Sequence, residues 1–233
     1  MVRIQGILGA RLKKTVVLIP AYNEARSIGG IIKDLKEKGL SVYVIDDGST
    51  DDTSAIALKE GANVLKHDKN KGKGASIRDG IQYALKENFD AVLILDGDGQ
   101  HKTSDVDNFF AKMDGASADI VIGNRMHDTS AMPFARHVTN RVMSYVISKL
   151  CGHDIPDTQC GFRLINIKVL KSVKLESSNY EIESELLLKA AKKGFKIESI
   201  PIQTVYENET SNINPLVDTV RFIVFLVKTL VGR

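Results

Sequence analysis

The sequence predicts an α/β fold with a mainly parallel central sheet flanked by helices, and two observations carry that prediction. Short runs rich in β-branched residues alternate with stretches whose apolar residues recur at helical spacing, which is the rhythm of β-α units. Polar clusters follow four of these runs, at the positions where an open parallel sheet collects its ligands. With 233 residues, 43% of them hydrophobic and 26% charged, the chain is long and apolar enough for one large domain with a sizeable core.

Thr15 to Ile19 reads as a buried strand stopped by Pro20, followed by a helix that starts at a Ser27 cap and places Ile28, Ile31, Ile32 and Leu35 on one face. Val42 to Ile45 is the second strand, and Ser49 to Asp52 supply turn and cap chemistry before the next helix. A short strand near Val64 precedes a helix from Ala75 to Lys86 carrying Ile77, Ile81 and Leu85. Ala91 to Leu95 and Ile120 to Ile122 are two further buried strands. Beyond Pro133 the pattern lengthens. A helix runs from about Phe134 to Leu150, a polar loop leads to Cys160, a strand covers Phe162 to Ile165, and a helix runs from Glu181 to Lys193. Ile197 to Val205 forms a last strand, and Asn214 to Val231 an amphipathic helix with a broad apolar side. No repeat or linker divides the chain, so 1–233 is expected to be a single domain: a first half over about 15–124, a second half over about 125–212 and the terminal helix over 213–233.

Composition excludes several classes. A net charge of +3 with both signs interspersed argues against nucleic acid as a partner and suits an anionic substrate or an acidic membrane surface. The longest apolar stretch, Phe222 to Val227, falls far short of the ~20 residues that cross a bilayer. Two cysteines make no disulfide framework, and no secretory signal is recognisable, so a cytoplasmic setting is expected. Cys151, His153 and Cys160 lack the paired spacing of a zinc site.

The chemistry concentrates at the strand ends. Asp96 and Asp98, separated by Gly97, can both turn toward one hard cation, and Gln100 adds a neutral oxygen; Mg²⁺ or Mn²⁺ suits so small a ligand set, completed by phosphate and water. A strand that simply ends in turn-forming Asp and Gly would read the same way. Asp46 and Asp47 can accept from ribose hydroxyls or a base N–H, or form an Asx turn and cap. Asn70 to Gly74, with Lys73 and Gly74 at a helix start, can attract an anion without being a P-loop. Arg125, Arg136 and Arg141 can clamp phosphate oxygens, and Arg136 and Arg141 can equally be the wet face of a helix. Glu181, Glu183 and Glu185 cluster at a helix start, where the helix dipole alone can explain them and a structural role is expected for at least two. His67 and His101 stand alone, without an evident nucleophile.

In this order, the strings IPAYNEARSI, VIDDGSTDDT, NKGKGASIRDGI, LILDGDGQH, IGNRM and PDTQCGFRLI resemble glycosyltransferase family 2, and within it the polyprenyl-phosphate (dolichyl-phosphate) mannosyl- and glucosyltransferases. The resemblance runs from about Thr15 to Tyr206. It implies the nucleotide-diphosphosugar transferase (GT-A) fold and a GDP- or UDP-hexose donor. Pro20, Ala21, Tyr22, Asn23, Glu24, Asp46, Asp47, Lys73, Gly74, Asp96 and Gly97 would then stand at the nucleotide sugar, Asp96, Asp98 and Gln100 at Mg²⁺ or Mn²⁺, and Arg125 and Arg136 near donor or acceptor phosphates. It further implies transfer with inversion, with 15–124 as the nucleotide-sugar and metal half and 125–212 as the acceptor half, to a polyprenyl phosphate or, alternatively, to a hydroxyl on a glycan, glycolipid or metabolite. A lipid phosphate needs no strong base, whereas a hydroxyl acceptor does, and Asp157 is the candidate. Such transferases carry a basic R-x-x-G-x-S-K cluster after the last strand; here Tyr206 to Asn212 holds Glu207 and Glu209 and no Arg or Lys, which leaves the acceptor open. The terminal helix is expected to touch a membrane at the inner face of the cell, or a second copy in a homodimer. A non-catalytic nucleotide-binding scaffold is the remaining alternative.

Overall fold

The computed structural model describes residues 14–130, 132–205, 221–222 and 224–227. Seven strands form one sheet in the order β3-β2-β1-β4-β6-β5-β7. The strands are β1 (Thr15–Ala21), β2 (Ser41–Asp46), β3 (Asn63–Lys66), β4 (Ala91–Ile94), β5 (Ile120–Asn124), β6 (Arg163–Asn166) and β7 (Ile197–Pro201). All run parallel except β6, which lies antiparallel between β4 and β5. The helices are α1 (Ile28–Glu37), α2 (Thr53–Lys59), α3 (Lys73–Lys86), α4 (Val106–Ala116), α5 (Phe134–Cys151), α6 (Ile167–Ser172) and α7 (Glu181–Lys192). The expected mainly parallel α/β architecture is therefore present. Helices α4 and α6 have no counterpart among the sequence expectations.

The core follows the periodicities. β1, β4 and most of β2 are buried on both faces and read as continuous Val/Ile/Leu runs. Helix α1 buries the four predicted residues Ile28, Ile31, Ile32 and Leu35. Helix α3 buries Ile77 and Ile81, while Leu85 is only partly covered.

Two local expectations are corrected. Pro20 does not stop the first strand: β1 continues to Ala21, with Pro20 in register opposite Ile45. The geometry explains why. The Leu18 carbonyl accepts from the Leu95 amide on the β4 side, and the Ala21 carbonyl accepts from the Asp47 amide on the β2 side. Pro20 therefore turns its missing donor toward β4, whose pairing has already ended at Ile94 opposite Leu18. Ser27 precedes α1 but its side chain does not cap it; its hydroxyl donates to the Gly97 carbonyl at 2.6 Å and so ties the start of α1 to the turn after β4. The last strand is shorter than expected, with only Thr204 continuing as a single bridge to His101. The terminal helix expected over 214–231 lies largely outside the described residues, of which 221–222 and 224–227 are helical.

Candidate active site

The carboxyl ends of β1, β2, β4 and β5 share one edge of the sheet, and hydrogen bonds stitch their loops together there. The Asn23 amide donates to Ser49 Oγ at 2.9 Å, and the Thr50 amide donates back to Asn23 Oδ1 at 2.9 Å. Asn23 adopts φ 59°, a left-handed conformation that Asn tolerates better than most residues. The Glu24 amide donates to Thr53 Oγ1 at 2.8 Å. Pro20 and Ala21 are buried in this strand end, while Tyr22 and Asn23 are exposed.

Asp46 and Asp47 are turned inward. Asp46 Oδ1 accepts from the Ser49 amide at 2.7 Å and Oδ2 from the Ser54 hydroxyl, the Asx turn that an Asp-Gly-Ser-Thr segment favours. Asp47 accepts from the amides of Lys71 and Gly72 at 2.9 and 2.8 Å, and His67 Nδ1 lies 2.7 Å from it. The other ring nitrogen of His67 lies 3.0 Å from Asp79 on α3. Asp47 and His67 together fix the basic loop that leads into α3.

That loop delivers Lys73 to the turn after β4. Its ammonium lies 2.7 Å from Asp96 Oδ1 and donates to Glu183 Oε1 of α7 at 2.8 Å, with the Tyr180 ring centroid 5.7 Å away. Burial works against the lysine charge, yet the two carboxylates prevail and raise its pKa well above the ordinary value. Burial pushes the Asp96 carboxyl up, but Lys73, His101 and Arg125 outweigh it and hold it at about 2. His101, with Nε2 3.8 Å from Asp96 Oδ2, is drawn down to about 4, first by burial and then by Arg125 and Lys73 against the pull of Asp96. Asp96 is thus an anion, with a neutral imidazole on one side and an ammonium on the other.

Two glycines are needed for this arrangement. A Cβ on Gly161 would collide with the Asp96 carboxylate, so glycine lets the chain before β6 pass under that carboxylate without displacing it. A Cβ on Gly74 would meet the Asn179 carbonyl oxygen at 2.6 Å. Gly74 therefore serves the close packing of α3 on the segment before α7.

Asp98 Oδ1 accepts from the Gln100 amide at 2.9 Å, and the Gln100 carbonyl accepts from the Val205 amide. Asp96, Asp98 and Gln100 are each partly exposed. Hard oxygen donors on a partly open turn, beside a lysine, fit a divalent cation that draws its remaining ligands from phosphate and water. Among the described residues no group of three or more His, Cys, Asp or Glu could enclose a metal, so a closed, all-protein cage is not what this turn offers.

Across the cluster, Arg125 follows β5 and is buried on Asp157. Its Nε donates to Asp157 Oδ2 at 2.7 Å, its Nη2 to Oδ1 at 2.9 Å and its amide to Oδ2 at 3.1 Å. Burial pushes the Asp157 carboxyl up, but Arg125 wins and lowers it. Asp157 is 1% exposed, and both its oxygens are engaged. Beneath them the buried guanidinium of Arg163 donates to the carbonyls of Cys160, Glu183 and Thr158 at 2.8, 2.6 and 2.7 Å.

A family model described as glycosyl transferase family 2 matches residues 16–174. The chain belongs to glycosyl transferase family 2. The Haloferax volcanii glycosyltransferase AglJ is 32% identical over 208 residues, covering 87% of this chain and 67% of its own. The Methanococcus voltae UDP-N-acetylglucosamine–dolichyl-phosphate N-acetylglucosaminyltransferase is 30% identical over 218 residues, covering 83% and 86%. Among solved structures, glucosyl-3-phosphoglycerate synthase from Mycobacterium tuberculosis with Mn²⁺, UDP-glucose and phosphoglyceric acid superposes with a TM-score of 0.73 at 19% identity, over 97% of this chain and 82% of that one. That likeness establishes the GT-A fold.

Within the family 2 enzyme, the structure joins Lys73, Asp96, Arg125 and Asp157 into one electrostatic cluster beside Asp98. Arg136 lies half-buried in the first turn of α5, and no hydrogen bond or ion pair found among the described residues joins it to that cluster. Sequence reasoning passed over Glu183 and His101. The acidic start of α7 hid Glu183: Glu185, two residues on, does serve the structure by accepting from the amides of Glu176 and Ser177. The signal available for His101 was its place directly after the DGDGQ turn.

Proposed function

We propose that this family 2 enzyme moves a hexose from a nucleotide diphosphosugar to a polyprenyl phosphate, with inversion and with Mg²⁺ or Mn²⁺, at the cytoplasmic face of a membrane. The observation that carries the reading is the Arg125–Asp157 pair. A hydroxyl acceptor needs a base in the loop before β6, and the carboxylate there is held by Arg125 through both oxygens. A phosphate acceptor is already an anion and needs none. Relatives at 30% identity that are named for dolichyl-phosphate transfer support the same choice.

The division of labour follows from the charges. Asp96 and Asp98 present the carboxylate oxygens for the cation, which stabilises charge on the departing nucleoside diphosphate. Lys73 holds Asp96 in place and adds positive charge beside the donor phosphates. Arg125, locked by Asp157, orients the acceptor phosphate for a direct displacement at the anomeric carbon, so the configuration inverts. Asp157 on this reading is a positioning residue rather than the base.

Incubating the protein with labelled GDP- and UDP-hexoses, a polyprenyl phosphate and Mg²⁺ or Mn²⁺ tests the reading. It expects a labelled lipid, lost on chelation. Label confined to water-soluble glycosides would overturn the acceptor, and tight nucleotide binding without turnover would favour a scaffold.

A further inference from the structure

Helix α5 is built inside out. Its buried positions are Asn140, Ser144 and Ile147, two of them polar. Its exposed positions include Phe134 at 81%, Val138 at 42%, Val142 at 57% and Tyr145 at 64% accessibility. At about 3.6 residues per turn these four side chains fall within roughly a quarter-turn of one another, on the side away from the buried residues. An apolar stripe of this kind on the solvent side is the reverse of what packing on the sheet requires.

The helix is also charged with one sign only. Its 18 residues hold Arg136, His137, Arg141 and Lys149 and no Asp or Glu, although the chain as a whole balances 32 basic against 29 acidic residues. The Lys149 ammonium lies 5.7 Å from the centroid of the Tyr145 ring, on the apolar stripe itself. Beside the stripe runs an open groove of about 760 Å³ whose lining includes His137, Arg141, Tyr145, Lys149 and His153, with Asp154 as its one acidic residue. The groove reaches Met126, the residue after Arg125.

We propose that α5 docks the enzyme on an anionic lipid bilayer, with Phe134, Val138, Val142 and Tyr145 in the headgroup–acyl boundary and Arg141 and Lys149 against lipid phosphates. Charge complementarity selects this occupant. An isologous dimer through α5 would bring Arg141 and Lys149 of two copies together with no acidic residue on either helix, leaving one Asp154 per copy beside two cations. The inference rests on the lipid-linked acceptor proposed above and deepens it: the groove beside the stripe would open at the bilayer surface, and its lining includes Met126, the chain neighbour of Arg125. It also moves the membrane contact from the terminal helix to α5.

Flotation of the full chain with phosphatidylcholine vesicles, with and without phosphatidylglycerol, tests this directly. The wild type is expected to float with the anionic vesicles and to be released by salt. V138E/V142E is expected to partition at least about tenfold more weakly, a loss of roughly 1.4 kcal/mol or more, while its metal-dependent nucleotide-sugar binding is unchanged; V224E/V227E is expected to float like the wild type. Wild type that stays in solution, flotation lost in V224E/V227E but kept in V138E/V142E, or a dimer in sedimentation that V142E alone dissociates would each overturn it. The reading of the reaction fails separately: flotation without a labelled lipid product sinks the acceptor and leaves the docking surface standing, and a labelled lipid without flotation does the opposite.

Discussion

Replacing Asp157 by Asn separates the two roles open to this residue. In the wild type the carboxylate takes three hydrogen bonds from Arg125, and the pair is withdrawn from water, with Asp157 1% and Arg125 6% exposed. Asparagine keeps one acceptor oxygen and removes the charge, so the guanidinium stays buried without its Asp157 carboxylate. Breaking a buried pair from one side costs about 3–5 kcal/mol, and the residual acceptor places the expected loss at the lower end, near 3 kcal/mol. For a chain of this size, that lowers the melting temperature by roughly 6–12 °C, at about 2–4 °C per kcal/mol. The stability side is read by urea or thermal melts, and the kinetic side by steady-state transfer to polyprenyl phosphate. A positioning role predicts a rise in KM for the acceptor together with the lost stability. It also predicts that R125M/D157N is more stable than D157N alone, because the buried charge that lost its Asp157 partner goes with Arg125. Stability within about 1 kcal/mol of wild type, with kcat reduced about 100-fold or more and acceptor KM unchanged, would refute this reasoning and restore Asp157 as a base.

Three further outcomes follow from the same cluster. Arg125 depresses the Asp157 pKa below its unfolded value, so the stabilisation is complete above about pH 4 and is lost as the pH falls through the folded pKa; urea melts across pH should show the gap between wild type and D157N closing only in that acid window. Glu183→Gln leaves Lys73 with Asp96 as its remaining carboxylate, which strengthens the competitor at the metal turn. Titration calorimetry should find Mn²⁺-dependent nucleotide binding weakened about tenfold, the usual scale for a group that supports a metal ligand, and unchanged metal affinity would count against Asp96 as part of the ion's site. Gly161→Ala drives a Cβ into the Asp96 carboxylate and should weaken metal-dependent binding by about 10–100-fold, with far-ultraviolet circular dichroism still that of the folded protein.

The parts of the fold that the sequence revealed are those governed by local periodicity. Ile28, Ile31, Ile32 and Leu35 announce α1 because a single helix face carries them, and the runs at β1, β2 and β4 announce buried strands because no polar residue interrupts them. Polar clusters at strand ends were readable for the same reason. Contacts made across long separations were not. Lys73 and Glu183 are 110 residues apart, and Arg125 and Asp157 are 32 apart, and no spacing rule links either pair. Pro20 misled because proline is read as a strand breaker, while the side to which its absent donor points depends on where β4 stops pairing.

The decisive long-range feature is the direction of β6. In a sheet whose strands all ran parallel, the carboxyl ends alone would face the ligand edge, and the segment before β6 would emerge at the opposite edge. Because β6 runs antiparallel between β4 and β5, its amino end lies with their carboxyl ends. That reversal places Gly161 against Asp96 and carries Asp157 to Arg125. It also seats Arg163 where its guanidinium can gather the carbonyls of Thr158, Cys160 and Glu183 into one rigid floor. The donor-side residues come from parallel β-α units and would stand at this edge in any sheet of that kind. The residues proposed for the acceptor are there because one strand is inverted. Substitutions within the segment 157–163 are therefore expected to change how the acceptor phosphate is held before they change how the nucleotide is bound, with Gly161, which touches Asp96 itself, as the exception.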